Sequence, residues 1–146
     1  LFHLVKLRTM TRDAEASGPV WSRRGDSRAT RLGGWLRRTG LDEFPQLWNV
    51  VKGDMSLVGP RPERPEFVAQ FEREIPGYAG RHALRPGITG WAQVHGLRGD
   101  TSIPERTRYD LEYIQQGSLW LDLKILLRTP FTMELKDRTY PPSPLS

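Results

Sequence analysis

Pro45 stands inside an apolar pattern that otherwise reads as one face of a helix, and this conflict constrains the chain more than any other feature. Phe44, Leu47, Trp48 and Val51 fall at i, i+3, i+4 and i+7, the spacing of a helical stripe. A proline has no N–H to donate and its ring strikes the preceding turn, so it is tolerated only near a helix start. The helix is therefore expected to open near Asp42, and Gly53 is placed to end it.

Adjacent carboxylates, Asp42 and Glu43, then lie at a helix N-terminus, with Arg37 and Arg38 before them and Arg61 behind. On one reading Asp42 is the N-cap, its carboxylate accepting from free backbone N–H groups, and the helix dipole favours Glu43 beside it. On the other, this N-terminus next to Arg37 and Arg61 binds phosphate, and a carboxylate there attacks phosphorus. The two readings are compatible. In Gly59-Pro60-Arg61-Pro62 the prolines restrict the backbone on both sides, so the guanidinium is presented with little entropy left to lose. Its planar fork matches phosphate oxygens two at a time. The alternative is a rigid surface turn whose arginine pairs with Glu63 or Glu66.

The segment Leu41-Asp42-Glu43-Phe44-Pro45-Gln46-Leu47-Trp48-Asn49-Val50-Val51-Lys52-Gly53-Asp54-Met55-Ser56-Leu57-Val58-Gly59-Pro60-Arg61-Pro62, followed by Arg85-Pro86-Gly87-Ile88-Thr89-Gly90-Trp91-Ala92-Gln93-Val94, closely resembles the bacterial sugar transferases. These are the monotopic polyprenyl-phosphate phosphoglycosyl transferases, and the resemblance runs from about Val5 to Phe131. It implies a two-step exchange. The aspartate of the Asp-Glu pair attacks the sugar-side phosphate of a UDP-sugar, and the phosphosugar then passes to undecaprenyl phosphate. Carried over, Asp42 is the nucleophile, Glu43 its acidic partner, and Arg61 the phosphate clamp. Mg²⁺ is the implied cofactor, with Asp42 and Glu43 as its protein ligands. The physical rationale is independent of the family. A carboxylate can approach a diphosphate only where cations offset the repulsion, and Mg²⁺ prefers few protein carboxylates plus substrate oxygens.

The resemblance also raises the standing of several residues. The family's Lys-Phe-Arg-Thr-Met motif aligns with Lys6-Leu7-Arg8-Thr9-Met10, with Leu7 in place of the aromatic residue, and implies that Lys6 and Arg8 approach the nucleotide or the active site. The alternation of Leu1, Val5 and Leu7 with Lys6 and Arg8 predicts a half-buried strand, for which a solvated basic edge is the simpler reading. Arg31 and Arg37 belong to the lead-in to the active-site helix. Gly87, Thr89 and Gln93 are expected to bind substrate, the glycines Gly87 and Gly90 bringing backbone close to the ligand and Trp91 or Gln93 meeting a base or sugar. A tight turn feeding a core strand is the alternative there. Gly40 occupies a position where relatives often carry Ser.

Elsewhere the signals concern folding. Thr11 to Arg31 reads as a helical piece and then a loop, with Trp21 as an anchor. Pro65 opens a helix carrying Phe67, Phe71 and Ile75, which ends before Pro76-Gly77, and Glu63 and Arg64 border the site. Ser102-Ile103-Pro104-Glu105 is a capping box that starts a helix through Ile114, with Asp110 in a surface or helix-pairing role or facing the metal. His3, His82 and His95 have no partners at metal-ligand spacing. Arg98-Gly99-Asp100 is too short a match to read as an adhesion motif. Ser118 to Pro130 is mostly apolar, and Trp120, Lys124 and Arg128 suit a helix at a lipid headgroup layer, although a buried C-terminal helix fits equally. Residues 132–146 are expected to form a disordered tail, beyond a catalytic domain of residues 1–131.

These signals predict an α/β (α+β) fold, a helix-rich single domain with a small sheet and amphipathic membrane-surface helices. With 22 Lys+Arg against 17 Asp+Glu the formal charge is +5, which favours anionic partners without choosing among them. Cysteine is absent, so disulfides and thiolate metal sites are excluded. No run of about 20 apolar residues spans a bilayer. Family members carry a re-entrant membrane helix before the point matching Leu1, so the resemblance implies an N-terminally truncated domain. It further implies UDP-sugar, undecaprenyl phosphate and a membrane as partners, the cytoplasmic face of the bacterial inner membrane as location, and exopolysaccharide, capsule or O-antigen synthesis as the outlet. Gly96-Leu97-Arg98-Gly99-Asp100-Thr101 is more similar to members moving hexose 1-phosphates. Oligomerisation stays open. The rival from another class is a catalytically idle regulatory or assembly module at the membrane surface. A nucleic-acid-binding domain has charge in its favour and no reader motif.

Overall fold

Thr30 caps the first regular helix, α1 (Arg31–Thr39), its hydroxyl accepting the Gly33 N–H at 2.9 Å. The structure, a computed structural model, describes residues 1–16, 18 and 26–138, the last six as backbone only. Trp21 and the expected turn at Gly25 lie outside the described residues, as does the Pro141–Pro144 segment. After α1 a 3-10 helix, Leu41–Gln46, runs into α2 (Leu47–Val51), which Gly53 terminates at a φ of 82°. The chain then forms β1 (Ser56–Val58), α3 (Pro65–Glu74), a 3-10 segment Tyr78–Ala83, β2 (Gly87–Thr89), α4 (Trp91–Val94), α5 (Ile103–Gln116) and α6 (Leu119–Arg138).

The two strands are parallel, with Ser56 opposite Gly87 and Val58 opposite Thr89. Parallel pairing requires a crossover, and α3 with the Tyr78–Ala83 segment supplies it. Both predicted helix starts hold: Pro65 stands in the first turn of α3, and Ser102 Oγ accepts from Glu105 N–H at 3.3 Å to open α5. The apolar core is small. Val58, Val94, Tyr113 and Ile125 are buried together, with Trp91, Ile114 and Leu121 packed on them. The helix-rich α/β class read from the sequence is the one observed.

Two expectations fail. Leu1–Met10 is not a strand: apart from an isolated antiparallel bridge between Met10 and Ala29, its backbone finds no ladder partner among the described residues. It lies instead along the 3-10 helix and α2, whose own backbone groups are engaged, so it is held by single contacts. Asn49 accepts from Val5 N–H at 3.0 Å and donates to the His3 carbonyl at 2.8 Å. The expected helix after Thr11 is also absent among the described residues, where 12–16 form turns and the first described helix is α1.

The apolar stripe of Phe44, Trp48 and Val51 exists but is not covered, these side chains being 66%, 60% and 76% exposed. α6 divides similarly, with Ile125 fully buried while Leu119, Trp120, Leu127 and Phe131 face outward. It continues with Pro130 inside it to Arg138, past the Phe131 boundary. Among the described residues no helix is long and apolar enough to cross a membrane.

Candidate active site

Gly40, at a φ of 72°, ends α1 and starts the 3-10 helix in one left-handed turn. It therefore takes the cap position expected of Asp42, and no side chain caps this helix. Asp42 lies instead within the first turn, buried, with Glu43 next to it, and Glu43 N–H donates to the Gly40 carbonyl at 3.1 Å. Pro45, which has no N–H, sits inside the 3-10 helix.

Arg61 reaches this turn from the loop after β1. Its Nη1 donates to Glu43 Oε2 at 3.2 Å and its Nη2 to Glu43 Oε1, a two-pronged pair, and Nη1 also approaches Gln93 Oε1 at 3.4 Å. The charge of Glu43, opposed by burial, moves the Arg61 pKa further up. The surface partners weighed from the sequence are engaged elsewhere, Glu63 with Arg106 and Glu66 with Arg64 at 3.7 Å. Arg64 also pairs with Glu15 at 2.5 Å, on the surface.

The N-terminal arm brings Lys6 to the same place, because Leu7 N–H donates to the Asp42 carbonyl at 3.0 Å. Burial, then the charges of Arg37 and Arg61, lower the Lys6 pKa, while Asp42 and Glu43 act in the opposite direction. Arg37 is fixed on α1 by its Nε, which donates to Thr9 Oγ1 at 2.8 Å. Arg8 and Arg31 are exposed, on the solvent side of the arm and of α1.

Three other expectations are corrected. Thr89 is buried, and its hydroxyl is hydrogen-bonded to Thr129 at 2.8 Å, so it ties β2 to α6 instead of facing substrate. Gly87 and Gly90 do let backbone come close, but to Gly59: a Cβ at these positions would sit 2.1 Å from Gly59 N and 2.2 Å from Gly59 O. Their role is to seat the Arg61 loop on β2. Gln93 is buried with its amide donating to Ile88 O at 3.3 Å, and it meets Arg61 through the other end. Trp91 packs on the core, with Lys124 Nζ 5.6 Å from its ring centroid.

A second ionic group, Glu63, Arg81, Arg106 and Asp110, is buried behind the first. Arg81 Nη2 donates to the Arg61 carbonyl at 2.9 Å and lies 2.8 Å from Asp110 Oδ2. That second contact is not aligned as a hydrogen bond, and Oδ2 has no donor among the described residues. Burial raises the Asp110 pKa to about 6 against the opposing pull of Arg81. Arg106 bonds Glu63 and holds the 96–101 loop by donating to Gly99 O at 2.6 Å and Thr101 Oγ1 at 3.1 Å. Asp110 is thus buried, and it pairs α5 with the Tyr78–Ala83 segment. Nothing in the spacing of Arg81 or Arg106 announced this. Arg98 was also passed over, although it sits in a segment already noted for its similarity. Its pKa is lowered to about 10, by burial first and then by Arg61, with Glu43 opposing.

Among the described residues no group of three or more His, Cys, Asp or Glu side chains is placed to hold a metal. Asp42 and Glu43 remain as adjacent carboxylates, a donor set suited to Mg²⁺, which takes one or two carboxylates and completes its shell with water and substrate phosphate oxygens.

A family model described as bacterial sugar transferase matches residues 1–136. Over 143 residues the chain is 48% identical to a Caulobacter vibrioides protein named UDP-glucose:undecaprenyl-phosphate glucose-1-phosphate transferase, covering 95% of this chain and 54% of the relative. Over 130 residues it is 48% identical to an Aeromonas hydrophila UDP-N-acetylgalactosamine-undecaprenyl-phosphate N-acetylgalactosaminephosphotransferase, covering 88% of this chain and 31% of the relative. A Bacillus subtilis protein, named putative undecaprenyl-phosphate N-acetylgalactosaminyl 1-phosphate transferase, is 59% identical over 98 residues, which are 64% of this chain and 55% of the relative. The chain thus spans about a third to about half of these relatives. Relatives named for glucose and for N-acetylgalactosamine match it equally well, so identity does not select the sugar.

Proposed function

The chain belongs to the bacterial sugar transferase family, and from that premise we propose that it is a phosphoglycosyl transferase moving a sugar 1-phosphate from a UDP-sugar to undecaprenyl phosphate. The observation that carries the proposal is the turn holding Asp42 and Glu43, with Lys6, Arg37 and Arg61 converging on it from separate elements. In the first step a carboxylate oxygen of Asp42 attacks the sugar-side phosphorus. An Asp–O–P bond forms, the P–O bond to UMP breaks, and UMP leaves with that electron pair. In the second step a phosphate oxygen of the lipid attacks the same phosphorus, and the Asp42 carboxylate departs unchanged. Attack on such an anionic centre requires positive charge close by, which Lys6, Arg37 and Arg61 provide. Glu43 orients Arg61, and the buried Gln93 steadies it. Mg²⁺, when bound by Asp42 and Glu43 together with substrate oxygens, supplies further neutralisation of phosphate charge.

The lipid acceptor requires the site to work at a bilayer surface. The outward Phe44, Trp48, Leu119, Trp120 and Phe131, with Lys124 and Arg128 beside the latter group, suit the interfacial layer. We place the protein on that basis at the cytoplasmic face of the bacterial inner membrane, feeding surface polysaccharide synthesis. The test is covalent: incubation with Mg²⁺ and radiolabelled UDP-sugars should leave phosphosugar on Asp42 with release of UMP. Equal labelling of wild type and Asp42→Asn would refute the nucleophile assignment and favour an idle assembly module.

A further inference from the structure

Arg98 is a half-buried arginine whose inner nitrogen has no partner. Arg98 Nε is shielded from solvent with no hydrogen-bond partner, and no hydrogen bond or ion pair is made by its side chain among the described residues. Arg81 Nε and Arg106 Nε are likewise unbonded, but the terminal nitrogens of those arginines are engaged by Asp110, Glu63 and backbone or hydroxyl oxygens. A guanidinium carries five donors and no acceptor, and burying a charged donor without a partner is unfavourable by more than an ordinary hydrogen bond contributes. Such a group is stabilised by an incoming anion.

Its location says which anion. The loop carrying Arg98 leaves α4 through Gly96 N–H, which donates to Gln93 O at 3.1 Å, and Gln93 is the residue touching Arg61. Arg106 pins the far side of the loop at Gly99 and Thr101, and its other contact, Glu63, lies on the loop of Arg61. Arg61 has already engaged Glu43 with both terminal nitrogens, whereas Arg98 has its fork available. The charge of Arg61 acts unfavourably on that of Arg98; negative charge shared between them relieves this, and a diphosphate offers charge on two neighbouring phosphorus centres. We propose that Arg98 is a substrate-binding residue that takes the diphosphate of the nucleotide-sugar together with Arg61. This rests on the proposed reaction and adds a residue to its site.

The experiment titrates the whole chain with inorganic diphosphate and, separately, inorganic phosphate by calorimetry, comparing wild type with Arg98→Gln, Arg98→Lys and the exposed control Arg73→Gln. Arg98→Gln should weaken diphosphate binding about tenfold or more, with orthophosphate affected less. Arg98→Lys should lie between, because an ammonium keeps the charge without the fork, and Arg73→Gln should stay within about twofold of wild type. Unchanged diphosphate affinity in Arg98→Gln, or in Arg98→Lys should the glutamine variant not fold, overturns the assignment. Equal losses for the two anions also overturn it, since they point to the acceptor's single phosphate. If wild type still labels at Asp42, such a result removes Arg98 alone; a wild type that neither labels nor binds diphosphate removes the reaction as well.

Discussion

The two ionic groups of this domain differ in their balance. Behind the site, Arg81 and Arg106 face Glu63 and Asp110, so buried charge is answered by buried charge. At the site, Lys6, Arg37, Arg61 and Arg98 surround Asp42 and Glu43, and cations are in excess. A matched group is a scaffold: it ties the Arg61 carbonyl, α5 and the 96–101 loop into one unit. An unmatched group suits the proposed receptor role, because its free energy improves when anionic phosphate arrives. The same residue types therefore serve opposite ends, and net local charge distinguishes them better than burial does.

The contrast can be broken most sharply at the proposed nucleophile. Asp42→Asn should reduce turnover on the order of a thousandfold or more while leaving thermal unfolding nearly unchanged. Assays of UMP release beside a melting curve check both halves. In the scaffold the pattern should invert. Arg81→Met strands Asp110 in the interior, while Glu63 keeps Arg106, and should lower stability by about 3–5 kcal/mol, measured by urea unfolding, as breaking a buried pair does.

The scaffold should also show a pH dependence of definite sign. With its folded pKa raised to about 6 from 3.8, Asp110 binds more protons folded than unfolded between those values, so stability falls as pH rises through this window. The fall should total up to about 3 kcal/mol, and Asp110→Asn should flatten it. A profile that is flat in wild type would mean that Arg81 keeps Asp110 ionised. The smallest effect expected is that of Arg61→Lys, which keeps the charge but loses the paired contact to Glu43. Activity should fall about a hundredfold with little change in stability. Near-normal turnover would show that the receptor needs only charge, and the contrast would rest on number instead of geometry.

Legibility in the sequence followed how local each cause is. The Gly53 stop, the Pro65 start and the Ser102–Glu105 box depend on neighbours within a turn, and each appears where the residues indicated. The strand expected over Leu1–Met10 failed because alternation marks an extended segment without supplying a partner, and among the described residues its one bridge is Met10 to Ala29. Gly87 and Gly90 were rightly read as points of close approach, but what approaches is Gly59, which is remote in sequence. Thr89 was read as a substrate contact because its segment resembles the family's, yet its hydroxyl is bonded to Thr129 on α6. The stripe of Phe44, Trp48 and Val51 was visible, but periodicity describes a face and says nothing about what covers it.

By itself the sequence determined the carboxylate pair, the proline-flanked arginine and the family, since each is a matter of which side chains stand next to one another along the chain. Only the tertiary structure decided which cations meet those carboxylates. Lys6, Arg37, Arg61 and Arg98 come from an arm, a helix and separate loops, and electrostatic attraction acts across space with no regard to the order in which residues are joined.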